Sequence, residues 1–255
     1  MIKLIDLKKK FDDRWVTNGV NLEIPDGKMT LIIGRSGAGK SVLLKQIVGL
    51  VKPTAGQVVV DGVDITKLSE RELNVELKKF GYVFQFAALL DSLNVFENIG
   101  ITLLEAGMAK KEVLKIVKEK LALVHLSEET LKKYPSELSG GMRKRVGLAR
   151  TLVTNPKIIL YDEPSTGLDP ITARAIHELM FNMQKDLGIT SVVITHDVEL
   201  FKYADYIALL YEGKIRYFGD AKEIWECENP YIYQFIRGLP DGPIKTEQQH
   251  FKDKF

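Results

Sequence analysis

Short apolar runs alternate along the chain with stretches of helical periodicity, the pattern of a mostly parallel sheet covered by helices. Ile2–Leu7, Val20–Ile24 and Gln57–Asp61 are predicted as strands of a small, partly antiparallel β-region. Met29–Ile33 is a buried-type strand that runs into a glycine-rich turn and then a helix from Lys40 to about Leu50. Pro53 and Gly56 punctuate the chain before Val58–Val60. From about Phe86 to Pro156 the texture changes to helix-forming sequence rich in Leu, Lys and Glu, and strand signals return at Ile158–Tyr161, Ser191–Thr195, Ile207–Leu210 and Lys214–Phe218. This predicts an α/β core over residues 1–240, interrupted by a helical subdomain at about 86–156. Asp241–Phe255 is polar, carries Gly242 and Pro243, and reads as a flexible tail. Within it, Ile244, Phe251 and Phe255 are spaced like anchors for a neighbouring subunit.

Composition narrows the class. The 255 residues are long enough for one α/β domain with a subdomain and a sizeable core. With 45% hydrophobic and 27% charged residues, the balance is that of an ordinary globular chain. A net charge of +2 is too mild to argue for nucleic acid as a partner. Lys8-Lys9-Lys10 and Arg143-Lys144-Arg145 therefore read as solvated faces. Cys227 is the single cysteine, so no internal disulfide forms. The opening MIKLIDLKKKF has neither the apolar region nor the small-residue cleavage site of a signal peptide. No apolar run approaches the roughly 18 residues of a membrane helix. Work at a membrane would be done from the cytoplasmic side, through partners.

Four strand ends carry candidate chemistry. Gly34-Arg35-Ser36-Gly37-Ala38-Gly39-Lys40-Ser41 matches a P-loop between a predicted strand and a predicted helix. Its glycines let successive N–H groups turn toward phosphate oxygens, and the helix start adds positive potential. Lys40 supplies a mobile charge for the β- and γ-phosphates, and the Ser41 hydroxyl a ligand for Mg²⁺. Ile158-Ile159-Leu160-Tyr161-Asp162-Glu163 is a buried strand ending in two acids. Asp162 is expected to hold the Mg²⁺ hydration shell and Glu163 to polarise the attacking water. Gln85, after the strand Gly81–Phe84, and His196, after Ser191–Thr195, end core strands on the edge where parallel sheets bind ligands. Carboxamide and imidazole can both donate to a γ-phosphate. Gln85 is also a candidate metal ligand.

Leu138-Ser139-Gly140-Gly141-Met142 resembles the signature of ABC-type ATPases, usually LSGGQ, and lies between the P-loop and the acidic pair, as in that family. With Gln85, Gly167-Leu168-Asp169 and His196 in family order, the resemblance covers essentially residues 1–238. It implies a P-loop ABC-type nucleotide-binding domain of the α/β class, with a RecA-like core, an antiparallel β-subdomain and a helical subdomain. It also implies ATP and Mg²⁺ as cofactors, and a head-to-tail dimer with a second copy. In that dimer ATP lies between one P-loop and the other subunit's Ser139, Gly140 and Gly141, while Asp169 belongs to a loop crossing the interface. By the same resemblance Phe11 is placed to stack on adenine, Val16 to pack on the ribose, and Val42 follows the phosphate loop among the nucleotide-binding positions. Stacking tolerates other bases, so preference for ATP over GTP stays open.

Phe84-Gln85-Phe86-Ala87-Ala88-Leu89-Leu90-Asp91-Ser92-Leu93, the Met142 variant of the signature, and Arg237-Gly238-Leu239-Pro240-Asp241-Gly242-Pro243 resemble the Mla-type ATPases more narrowly. That resemblance implies phospholipid traffic through separate transmembrane permease subunits, with an MCE-type lipid-binding protein and a small STAS-domain regulator. It places the chain peripherally on the cytoplasmic face of a bacterial inner membrane. Met142 departs from the family's usual Gln, exchanging a polar contact for thioether packing. Two other readings remain open: an ABC ATPase acting in assembly, as in iron–sulfur cluster biogenesis, without a membrane partner, and a nucleotide-dependent switch. The presence of Glu163 argues against the switch. The apolar stretch after Gln85 is expected either to be helical-subdomain core or to border the groove for a permease helix.

Overall fold

The computed structural model describes residues 1–245. They form two compact units: Met1–Pro25, Thr30–Leu68 and the chain from Ile194 onward in the first, Asp26–Met29 and Ser69–Val193 in the second. Its class is mixed α/β, with antiparallel and parallel pairings.

In the first unit, β1 (Ile2–Phe11) and β2 (Arg14–Ile24) form a long antiparallel hairpin. With β4 (Ala55–Val60) and β5 (Val63–Asp64) they make a sheet ordered β2-β1-β4-β5, antiparallel throughout. Ile2, Leu4 and Leu7 of β1 meet Val20, Leu22 and Ile24 of β2 and Val58 and Val60 of β4 on one buried face. The register slips between Leu4 and Leu7, around Asp6 with φ 45°. That irregularity breaks the period-2 pattern, so β1 continues to Phe11 where alternation alone predicted an end at Leu7.

A second set of strands in this unit runs β10-β9-β3, with β3 (Met29–Ile33), β9 (Tyr206–Tyr211) and β10 (Lys214–Asp220). The pairing of β3 with β9 is parallel, and that of β9 with β10 is antiparallel. Helix α1 (Lys40–Ile47) follows β3 and stops three residues short of the expected Leu50, with Gly49 at φ 71°. Helix α7 (Pro230–Arg237) has Asn229 as its N-cap, Pro at its first position and left-handed Gly238 at its end.

The second unit carries α2 (Glu70–Leu77), β6 (Phe80–Val83), α3 (Val95–Glu105), α4 (Lys110–Leu123), α5 (Gly140–Leu152), β7 (Ile158–Asp162), α6 (Pro170–Leu187) and β8 (Thr190–Ile194). Its strands run β8-β7-β6, with β6 and β7 parallel. The helical segment α3–α5 falls within the expected range but shares one compact unit with these strands and α6. Its core is Val95, Ile99, Val113, Val117, Leu121 and Val146. A Cβ on Gly100 would lie 2.6 Å from the Val113 side chain, so α3 and α4 touch at a glycine. Helix α2 buries no side chain and is set by its capping box, Ser69 with Glu72. Among the described residues no helix is long and apolar enough to cross a membrane.

Asp241–Lys245 departs from the flexible reading. Ile244 is buried, its N–H donates to the Gln234 side-chain oxygen (2.7 Å), and the Gln234 amide donates to the Ile244 and Leu239 carbonyls. The Lys245 N–H donates to the Tyr211 hydroxyl. Phe251 and Phe255 lie outside the described residues. Gln234→Ala would leave buried peptide groups unmet, and the expected loss of unfolding free energy is about 1–3 kcal/mol, read from denaturant titration.

Candidate functional site

In the first unit, residues 34–41 leave β3 and turn directly into α1. The turn demands glycine. At Gly34, φ is 153° and a Cβ would lie 2.4 Å from the Leu210 carbonyl oxygen. At Gly39, φ is 93° and a Cβ would lie 2.7 Å from the Val16 side chain, so Val16 closes on the loop. Lys40 is buried, and its Nζ donates to the carbonyls of Gly34 (2.8 Å) and Arg35 (3.0 Å), which arches the side chain back over the loop. Ser41 stands exposed in the first turn of α1. Phe11 ends β1 with a half-exposed ring carrying the Lys9 ammonium 4.9 Å from its centroid. The Thr195 N–H donates to the Ile32 carbonyl, which sets the exposed His196 beside the end of the strand that feeds the loop. Thr195 Oγ1 accepts from the Asp197 N–H, and Asp197 caps the turn that follows.

In the second unit, the parallel pairing of Val83 with Tyr161 brings the ends of β6 and β7 side by side, so Gln85 and the acidic pair leave one edge. The Tyr82 hydroxyl donates to Asp162 Oδ2 at 3.1 Å. Burial pushes the phenol's pKa up, and the Asp162 charge adds to this, so Tyr82 stays a donor. Glu163 has φ 48°, a left-handed backbone uncommon outside glycine, and its carboxylate accepts from the Thr166 hydroxyl at 2.9 Å. Strain of this kind at a strand end aims a side chain at a fixed point.

Ser139 caps α5, its Oγ accepting from the Met142 N–H at 3.2 Å. Gly140 and Gly141 press against the chain around α6: a Cβ on Gly141 would be 2.5 Å from the Thr172 methyl, and one on Gly140 3.4 Å from Leu168. Asp169 accepts from the Thr172 hydroxyl (2.6 Å) and from the N–H groups of Ile171 and Thr172, which holds its carboxyl below the usual carboxylate range. Its side chain is thus engaged as the cap of α6.

One expectation from the sequence needs correction. Arg143-Lys144-Arg145 is a solvated face only in part: Lys144 is buried with Nζ donating to the Gln85 carbonyl, while the exposed Arg143 reaches the Leu138 carbonyl and the half-buried Arg145 the Val124 carbonyl. Phe86 is 79% exposed, so it is not subdomain core, while its neighbour Ala87 is. Leu90 is half-exposed, and the buried Asn98 side chain staples the loop through Leu90 and Leu93 backbone groups. Tyr82, Thr166, Lys144 and Asn98 escaped the sequence reading because each acts through a backbone or carboxylate that no local motif names.

Ser41 in the first unit and Asp162 in the second each offer a hard oxygen of the kind Mg²⁺ takes. Among the described residues no group of three or more His, Cys, Asp or Glu could hold a metal by itself.

Residues 17–166 match the family model for ABC transporters. The chain belongs to the ATP-binding proteins of ABC transporters. It is 36% identical over 260 residues to the intermembrane phospholipid transport system ATP-binding protein MlaF of Haemophilus influenzae, covering all of this chain and 98% of that protein. It is 38% identical over 250 residues to the probable ribonucleotide transport ATP-binding protein mkl of Mycobacterium tuberculosis, covering 97% of this chain and 69% of that one. A dimeric ATP-binding cassette solved with ADP and phosphate after hydrolysis superposes with TM-score 0.80 at 34% identity, over 87% of this chain and 99% of that one. This ABC protein is accordingly an ATP-hydrolysing subunit.

Gly39→Ala should weaken binding of a fluorescent ATP analogue roughly ten- to hundredfold, the equivalent of about 1–3 kcal/mol of backbone strain at φ 93°. Its circular dichroism should match the parent.

Proposed function

We propose that this chain energises the movement of a lipid-like substrate, a phospholipid, through a separate permease at the cytoplasmic face of a bacterial inner membrane. What carries this reading is the end-to-end likeness to the MlaF protein, 98% of whose length is matched. The stretch Phe84–Leu93, the Met142 signature and the ending Arg237–Pro243 support it.

In this reading the loop N–H groups from Gly34 to Ser41, with Arg35, Ser36, Gly37, Ala38, Lys40 and Val42, take the phosphates of ATP. Phe11 stacks on the base and Val16 packs on the sugar. When bound, Mg²⁺ neutralises phosphate charge; Ser41, Asp162 and Gln85 would hold it, directly or through water. Glu163, aimed by its left-handed backbone and the Thr166 hydroxyl, takes the proton of the attacking water. Gln85 and His196 donate to the γ-phosphate. A second copy supplies Ser139, Gly140 and Gly141 across a head-to-tail dimer, where a helix start favours an anion. The exposed Phe84, Phe86 and Leu90 receive a permease helix, with an MCE-type protein and a small STAS-domain regulator completing the assembly.

Glu163→Gln should keep ATP affinity and lower turnover by roughly 10²–10⁴-fold, trapping a dimer visible by size-exclusion chromatography. Lys40→Ala should lose binding itself. Near-normal turnover of Glu163→Gln would remove the assigned base.

Leu90→Glu should release the subunit from the membrane fraction while ATP affinity stays normal; a membrane-bound, transport-competent variant would place the docking surface elsewhere. For the substrate, the detergent-solubilised complex is purified through this subunit and reconstituted in vesicles with labelled phospholipid. ATP-dependent lipid transfer is expected. Ribonucleotide uptake without lipid transfer would overturn the phospholipid reading in favour of the mkl-like one.

A further inference from the structure

The loop that begins at Gln85 has an unusual backbone. Ala87 and Ala88 follow one another at φ 60° and 47°, in the left-handed region that L-residues enter at a cost. Such a turn persists only where its surroundings over-determine it. Here those surroundings are a single face of α5, the helix that Ser139 opens.

Three consecutive contacts make that face. Lys144 donates to the Gln85 carbonyl. Gly147, one turn on, lets α5 close on the loop: a Cβ there would be 3.2–3.4 Å from the Cβ, carbonyl oxygen and Cα of Ala87. Arg150 spreads its fork over the loop, one nitrogen donating to the Ala87 carbonyl and the other to that of Ala88, each at 2.7 Å. Positions three apart share a helix face, so the donors and the glycine gap meet the loop in register. Both cations are substantially desolvated, which pulls their pKa values down; the Glu163 carboxylate acts on Lys144 in the opposite direction.

We propose that Lys144 and Arg150 are positioning residues that lock the Gln85 loop onto α5, so that the helix opened by Ser139 and the loop opened by Gln85 move as one piece. Both ends of that piece then respond together, because a loop held at three of its first four carbonyls cannot shift without the helix. Arg150 is needed as arginine: it reaches the two carbonyls from separate nitrogens of one rigid planar fork, a fixed geometry that a lysine's single ammonium on a flexible stem does not reproduce. Lys144 requires only a long cationic donor. This rests on the reading of Gln85 as a group that acts on the nucleotide.

The test compares Lys144→Met, Lys144→Arg, Arg150→Lys and Gln85→Ala in the full chain, reading steady-state ATPase and amide exchange over residues 84–90. Lys144→Met and Arg150→Lys should lower kcat roughly 10- to 100-fold while KM for ATP stays within about twofold, the signature of a misplaced group rather than lost binding. Lys144→Arg should recover most of the rate. Exchange across 84–90 should quicken at least about tenfold in both damaging variants, as local opening becomes easier. Unchanged exchange in soluble Lys144→Met and Arg150→Lys protein would overturn the lock. If exchange quickens but kcat holds while Gln85→Ala is inactive, the lock exists and does not position the sensor, which overturns the proposal. If Gln85→Ala itself turns over normally, the reading of Gln85 fails, and the positioning role falls with it. Should Arg150→Lys prove insoluble, Lys144→Met and its arginine rescue decide the matter.

Discussion

A strand covered on both faces can carry no charge along its length, so whatever chemistry it delivers must sit at its end. β3 and β8 are buried at every residue and β7 at all but its last. The charged and titratable positions come at their ends: the phosphate loop after Ile33, His196 after Thr195, and the pair Asp162-Glu163, of which Asp162 closes β7. This constraint explains why short motifs far apart in the chain have a common character. Each is the point where a hydrophobic element is allowed to become polar, and backbone that regular structure would forbid follows several of them: Gly34 and Gly39 in one unit, Glu163 and, past β6, Ala87-Ala88 in the other.

The supports around those ends are mostly backbone groups. Lys40 leans on two loop carbonyls, Lys144 on the Gln85 carbonyl, Asn98 on the Leu90 and Leu93 backbone. Side chains that hold side chains are fewer, and they fall on the carboxylates: Tyr82 on Asp162, Thr166 on Glu163, Thr172 on Asp169. A carboxylate bonded to a neutral hydroxyl donor loses its freedom to rotate, as a group that must face one point requires.

Strand positions and the phosphate loop were legible in the sequence because burial and glycine leave local marks. Met29–Ile33 begins and ends where the apolar run does, and Gly34 and Gly39 stand where no Cβ fits. Lys144 was not legible: flanked by Arg143 and Arg145 it resembles a solvated run, and only the tertiary approach of the Gln85 loop buries it. Phe86 in its apolar run left core and surface both open, and it lies exposed beside two left-handed residues. Helix α2 has no buried face to give it a period, and Ile244 sits in a polar stretch whose docking depends on Gln234 ten residues earlier. At Lys144 and Ile244 a tertiary contact overrides the local pattern; at α2 a local cap stands in for one.

Gly141 and Thr172 touch so closely that a methyl on the first would sit 2.5 Å from the methyl of the second, and Thr172 is also bound to Asp169. The two positions are therefore one variable. Volume added at 141 has to be removed at 172, and removing it there as alanine also costs Asp169 its hydroxyl bond, leaving the two backbone N–H bonds of the cap. Serine at 172 is the one exchange that yields the space and keeps the hydroxyl. A substitution that adds volume at 141 should be strongly non-additive with one that removes it at 172. A contact a few atoms wide thereby makes the glycine pair after Ser139 and the turn at Asp169 inherit each other's tolerance for change.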